Sequence, residues 1–125
     1  MIMDQEKKID LIFNKGIDKF NSHRFYEAHE FWEEIWTDYR LSDAKFIQAM
    51  IQLSVGCFHI TNMNLNGAKG LFKKSQNKFL NFEGFVRGVN ISEVTNFLEN
   101  ALLCIDRIDD CRDFDWELLP FIKVR

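Results

Sequence analysis

Proline is almost missing from this chain: the single one, Pro120, lies near the far end, so few breakers oppose helix formation before it. No stretch alternates apolar and polar residues over strand length, and the signature of a half-buried strand is therefore absent. Cysteine is scarce and odd in number. Cys57, Cys104 and Cys111 lack the close paired spacing of a zinc knuckle or a redox dithiol, and free thiols in a reducing compartment are the simplest reading. No apolar run reaches the roughly 18 residues of a membrane span. The opening segment carries Asp4, Glu6, Lys7 and Lys8 where a secretory signal would place a basic region and an apolar core. These absences lead to an expectation of cytoplasmic residence without a membrane partner. Surplus positive charge is lacking too, the net charge being −3. Lys69, Lys73, Lys74 and Lys78 gather in one short segment and nowhere else, which disfavours nucleic acid and reads as the solvated side of an amphipathic helix. No internal repeat or low-complexity segment is visible.

What is present is apolar bulk. With 125 residues, 46% hydrophobic and 28% charged, the chain has the length and balance of one globular domain spanning residues 1–125. Thirteen phenylalanines accompany Trp32, Trp36 and Trp116, and each such side chain contributes roughly 1.5–3 kcal/mol when buried. The apolar periodicity predicts an all-α array of about five helices. The first runs from about Gln5 to Phe20, the second from about Phe25 to Thr37, and the third from about Asp43 to Asn62, with Ser42 or Asp43 as its cap. The third is apolar nearly all round, the mark of a central helix. A fourth, capped by Asn66, buries Ala68, Leu71, Phe72, Phe79 and Phe82. Gly84 and Gly88 mark a loop, and a fifth helix capped by Ser92 aligns Val94, Phe97, Leu98, Ala101, Ile105 and Ile108. The tail beyond it is acidic from Asp109 to Asp115 and then apolar at Trp116, Leu118, Leu119, Phe121 and Ile122. That composition predicts a latch onto the same domain, with a partner or homo-oligomer contact as the alternative.

At 100° per residue the second helix puts Phe25, His29, Trp32, Glu33 and Trp36 on one aromatic face. Glu27, Glu30 and Glu34 fall on another side and read as a solvated stripe. His29 and Glu33 stand one turn apart, close enough to meet or to hold a common partner. On the third helix Gln48, Gln52 and His59 form a polar line. An antiparallel pairing brings Glu33 level with Gln48 and His29 level with Gln52, and sends His59 toward His23 and Phe25.

Phe20-Asn21, Phe25-Tyr26-Glu27-Ala28-His29-Glu30, Trp32-Glu33 and Trp36 together resemble a bacterial, archaeal and plastid family known as domain of unknown function 309. Its motif H-E-x-x-E-x-x-W is met by His29, Glu30, Glu33 and Trp36. A second match covers Gln48 to Leu53 with His59, and then Asn64 to Ala68, where Met63 stands in place of the family's first glycine. The resemblance spans about residues 9 to 82; it implies a small helical array and brings no activity or cofactor.

Three functional readings follow from the residues. His29, Glu33, Gln48 and Gln52 could satisfy one another as a structural network. They could instead key a small-molecule site in an aromatic pocket of Phe25, Trp32 and Trp36, bordered by Glu30 and His59. In the third reading His29 and Glu33, completed by His59, serve a metal-assisted hydrolase with those two residues as the catalytic candidates. Nucleophilic catalysis gains little, because Cys57 sits in an apolar helix and no serine stands beside a base.

Overall fold

The computed structural model describes residues 4–125, in which five helices follow one another: α1 Gln5–Asn21, α2 Phe25–Asp38, α3 Ala44–Thr61, α4 Leu65–Phe79 and α5 Ile91–Ile105. Each packs on the next in sequence. The domain is all-α, as the periodicity predicts. Short connections explain the serial packing, since a helix that turns back at once can only bury its apolar stripe on its predecessor. No helix among the described residues is long and apolar enough to cross a membrane.

The first four helices form two hairpins built to one plan, and this corrects the expectation that the chain holds no repeat. In the first, the Arg24 N–H donates to the Lys19 carbonyl (2.9 Å) and the His23 N–H to that of Phe20 (3.0 Å). In the second, Asn64 donates to His59 (2.8 Å) and Met63 to Ile60 (3.2 Å). Both are Schellman turns, and both place a residue at φ +60°, His23 and then Met63. Met63 thus adopts the left-handed conformation that glycine takes most easily, at roughly 1–2 kcal/mol for a residue with a Cβ. The turns are forty positions apart, and buried residues repeat with the same offset: Phe13 and Leu53, Ile17 and Cys57, Ala28 and Ala68, Trp32 and Phe72. Gly16 lies against the Trp32 indole as Gly56 lies against the Phe72 ring, and a Cβ at either glycine would overlap that ring. Only the two glycines and the two alanines are identical among these pairs, too few to be seen as a sequence repeat.

The cap expected for α3 is displaced by an ion pair. Asp43 stands at the head of α3 without capping it, because both its oxygens accept from Arg87, at 2.7 and 3.1 Å. Arg87 also reaches Asp10 at 3.2 Å. It projects from the tip of a small antiparallel hairpin, β1 Phe85–Val86 with β2 Val89–Asn90, where a loop was expected. Arg87 and Gly88 at that tip have φ of +48° and +80°, the pairing a two-residue hairpin turn requires. Two further caps shift by two residues. Asn64 rather than Asn66 caps α4, accepting from the Gly67 N–H at 2.8 Å, and Asn90 rather than Ser92 caps α5. Helices α4 and α5 end before Phe82 and Ile108, which are half-buried beyond them.

After α5 the chain makes two short 3-10 turns, Cys111–Asp113 against α3 and Trp116–Leu118 against α5. Trp116 stacks on Phe25 with ring centres 5.4 Å apart. The tail then crosses to the α1–α2 turn, where Ile122 is buried.

The close approaches yield a stability test. Gly16→Ala is expected to lower the unfolding free energy by about 1–3 kcal/mol through overpacking against Trp32. Gly70→Ala, on α4 with open space around its Cβ position, is expected to raise it by about 0.5–1 kcal/mol. Denaturant unfolding measures both, and effects of the same sign would contradict the packing described.

Candidate functional site

Helix α2 is divided by Trp32. Its inward residues Phe25, Ala28, Trp32 and Ile35 are all buried. The Trp32 indole N–H donates to the Phe13 carbonyl of α1 at 3.1 Å, and its ring lies on Phe13 and Phe20. A large apolar ring with its one donor satisfied belongs in the core. The aromatic pocket expected from Phe25, Trp32 and Trp36 therefore does not form: the first two are core residues and Trp36 stands 39% exposed.

The outward residues make a different surface. Tyr26, His29, Glu30, Glu33, Glu34, Thr37 and Asp38 line a shallow, open depression of about 400 Å³ along α2. Glu30, placed on a separate solvated stripe by the helical count, lines the same depression as His29 and Glu33. The His29 ring stacks on Tyr26 (4.9 Å between centres), and Tyr26 leans on Phe58 of α3 (5.3 Å). His29 Nδ1 lies 2.8 Å from the Tyr26 carbonyl oxygen. A carbonyl can only accept, so Nδ1 carries the proton and Nε2 is left with its lone pair whenever the ring is neutral. Nε2 faces Glu33 Oε2 at 3.5 Å, with the His29 side chain one-fifth exposed and that of Glu33 half exposed.

Charge around the depression is unevenly compensated. Glu27, on the flank, is bound by Lys19 (3.0 Å) and Arg24 (3.5 Å), and the Lys19 hydrogen bond is the main cause that holds its carboxyl below the usual range. Among the described residues, Glu30, Glu34 and Asp38 have no basic partner. No basic residue stands in the last turn of α2 to offset the negative end of the helix.

The expected four-residue network does not close. No hydrogen bond joins His29 or Glu33 to Gln48 or Gln52, and the buried Gln52 Oε1 atom has no partner among the described residues. The physical reason is local: the imidazole is taken by its own helix's carbonyl and by Tyr26, while Glu33 reaches into solvent. His59 is also elsewhere, its Nδ1 3.4 Å from the Asn64 amide nitrogen at the α3–α4 turn. His23 meets Phe25 and Trp116 instead. Among the described residues no three His, Cys, Asp or Glu side chains are grouped to hold a metal ion, so His29 and Glu33 are not completed as ligands by His59. Cys57 is fully buried, and desolvation raises its thiol pKa well above the ordinary value, which makes it a poor nucleophile. Sequence reasoning overlooked Tyr26; its position three residues before His29 was the available signal.

Residues 13–71 match the model of a family described as Domain of unknown function (DUF309). Over that stretch the chain belongs to the family. The DUF309 segment runs from within α1 into α4 and so takes in both Schellman turns and the whole of α2. Within it, the residues that carry the H-E-x-x-E-x-x-W resemblance, His29, Glu30, Glu33 and Trp36, are those that α2 turns away from the core. No curated protein matches the chain.

The orientation of His29 is directly measurable. Nitrogen-15 NMR of the neutral imidazole is expected to show the Nδ1–H tautomer, against the Nε2–H form that free histidine favours. An Nε2–H signal would break the Tyr26 link.

Proposed function

We propose that the chain is a binding module that takes a small cationic ligand, an amine or a guanidine, on the outward stripe of α2. The observation that carries this reading is the oriented His29–Glu33 pair in a depression whose other carboxylates, Glu30, Glu34 and Asp38, lack basic partners among the described residues. Like charges held together at the negative end of a helix disfavour the folded state, and a bound cation would relieve that repulsion. Tyr26 adds an aromatic wall against which a cation or its methylene stem can lie. His29 Nε2 offers an acceptor beside the carboxylates, which suits a ligand N–H.

This reading refines the small-molecule site expected from the sequence by replacing an enclosed aromatic pocket with an open acidic stripe. A shallow site implies modest affinity, and exposed charges imply weakening by salt.

Spermidine and arginine methyl ester serve as probes. At about a hundred times its dissociation constant, either should stabilise the wild type by about 2.7 kcal/mol, seen as a higher Tm. Glu33→Gln and His29→Ala should reduce the rise at equal ionic strength. An unchanged Tm, or equal rises in wild type and variants, would refute the reading.

A further inference from the structure

The tail holds a second feature, remote from the α2 stripe in its chemistry. Asn21, the last residue of α1, uses its carboxamide as a two-way clamp on the main chain of Ile122. Its Oδ1 accepts from the Ile122 N–H at 2.8 Å, and its Nδ2 donates to the Ile122 carbonyl at 2.9 Å. Three residues on, the Arg125 N–H donates to the Gly88 carbonyl at the hairpin tip, at 3.1 Å. The Arg125 guanidinium lies over the Phe85 ring, 5.4 Å from its centre. Residues 119–125 have no secondary structure of their own. Only Ile122 among them is buried, at 2% exposure, while Phe121 is 72% exposed.

This is the pattern by which a surface binds an extended peptide: main-chain hydrogen bonds fix the strand, and pockets for selected side chains give the choice. The clamp reads backbone, which every extended segment offers. The Ile122 pocket reads one branched apolar side chain, and Phe85 reads a cation three residues later. Attachment is light compared with the preceding tail, where Cys111 and Phe114 are buried and Trp116 stacks on Phe25. Detaching residues 119–125 therefore uncovers one fully buried side chain, Ile122, and the half-buried Leu119 beside the core.

We propose that the surface formed by Asn21, Gly88 and Phe85 is a docking groove for an extended segment of another protein, of the form branched apolar-x-x-arginine, and that residues 119–125 occupy it as a built-in competitor. The tether explains why the tail holds the groove: a short linker sets an effective concentration of about millimolar, which a partner must exceed by affinity or by local abundance.

The test uses the full chain and a labelled, end-blocked peptide of residues Leu119–Arg125. Ile122→Asp in the full chain should expel its own segment, so that the peptide binds about tenfold or more tightly than it binds wild type. Adding Asn21→Ala to that variant should abolish binding, as should the same aspartate placed in the peptide. Equal binding to wild type and Ile122→Asp, or none to a folded Ile122→Asp, overturns the proposal. Should Ile122→Asp fail to fold, amide exchange of the wild type decides. Local release should let the Ile122 and Arg125 amides exchange faster than those of α3, and exchange only with global unfolding overturns it. A peptide that binds only by driving exchange of whole tails between two copies of the chain would make the occupant a second copy and overturn the assignment to a separate partner.

Discussion

The Trp32 indole resting on Gly16 and donating to the Phe13 carbonyl is the contact on which the arrangement of this chain turns. It requires three things at once: a glycine on α1, a carbonyl one turn before it, and a ring of the right reach on α2. Together they fix the rotation of α2 about its own axis as well as its distance from α1. Once the rotation is fixed, every other residue of α2 is assigned to the core or to solvent. His29, Glu30, Glu33 and Trp36 then face outward because Phe25, Ala28, Trp32 and Ile35 face inward.

The same solution appears again in the second hairpin with Gly56 and Phe72, and the two units are stacked so that α2 and α3 close the interface between them. A pair of stacked hairpins leaves its outer elements without a neighbour, and the remaining third of the chain supplies one. Helix α5 covers α4, and Arg87 draws Asp43 and Asp10 together so that the small hairpin is tied to the beginnings of α3 and α1. The tail returns to the α1–α2 turn through Trp116 and Ile122. Helix α1 and the tail are thereby joined, and residues outside the DUF309 segment pack against its last helix and its first turn.

Helix number, order and approximate extent could be read from sequence because 3.6-residue apolar spacing is a strong signal in a chain with one proline. The candidate helix was found for the same reason. What failed was the assignment of its faces. His29, Trp32 and Glu33 lie within a third of a turn, and angular position alone cannot tell that the edge of this arc is buried at Trp32 and open at Glu33. Only the contact with Gly16, sixteen positions earlier and on another helix, decides it. The His29–Tyr26 hydrogen bond was likewise hidden, since it involves a backbone carbonyl that carries no residue signature. The repeat escaped notice because Trp32 and Phe72, or Ile17 and Cys57, fill equivalent sites with different side chains. The hairpin escaped because two-residue strands are too short for alternation to register, although Arg87-Gly88 between Val86 and Val89 carried the turn chemistry.

The most direct measurement of this account is hydrogen exchange at the three indole nitrogens. The Trp32 indole N–H, buried and bonded to Phe13, should exchange only through global unfolding, whereas that of Trp36, on an exposed residue, should exchange fast. A Trp32 indole that exchanges as fast as Trp36 would mean that the clasp does not fix α2, and the division of its faces would lose its physical basis.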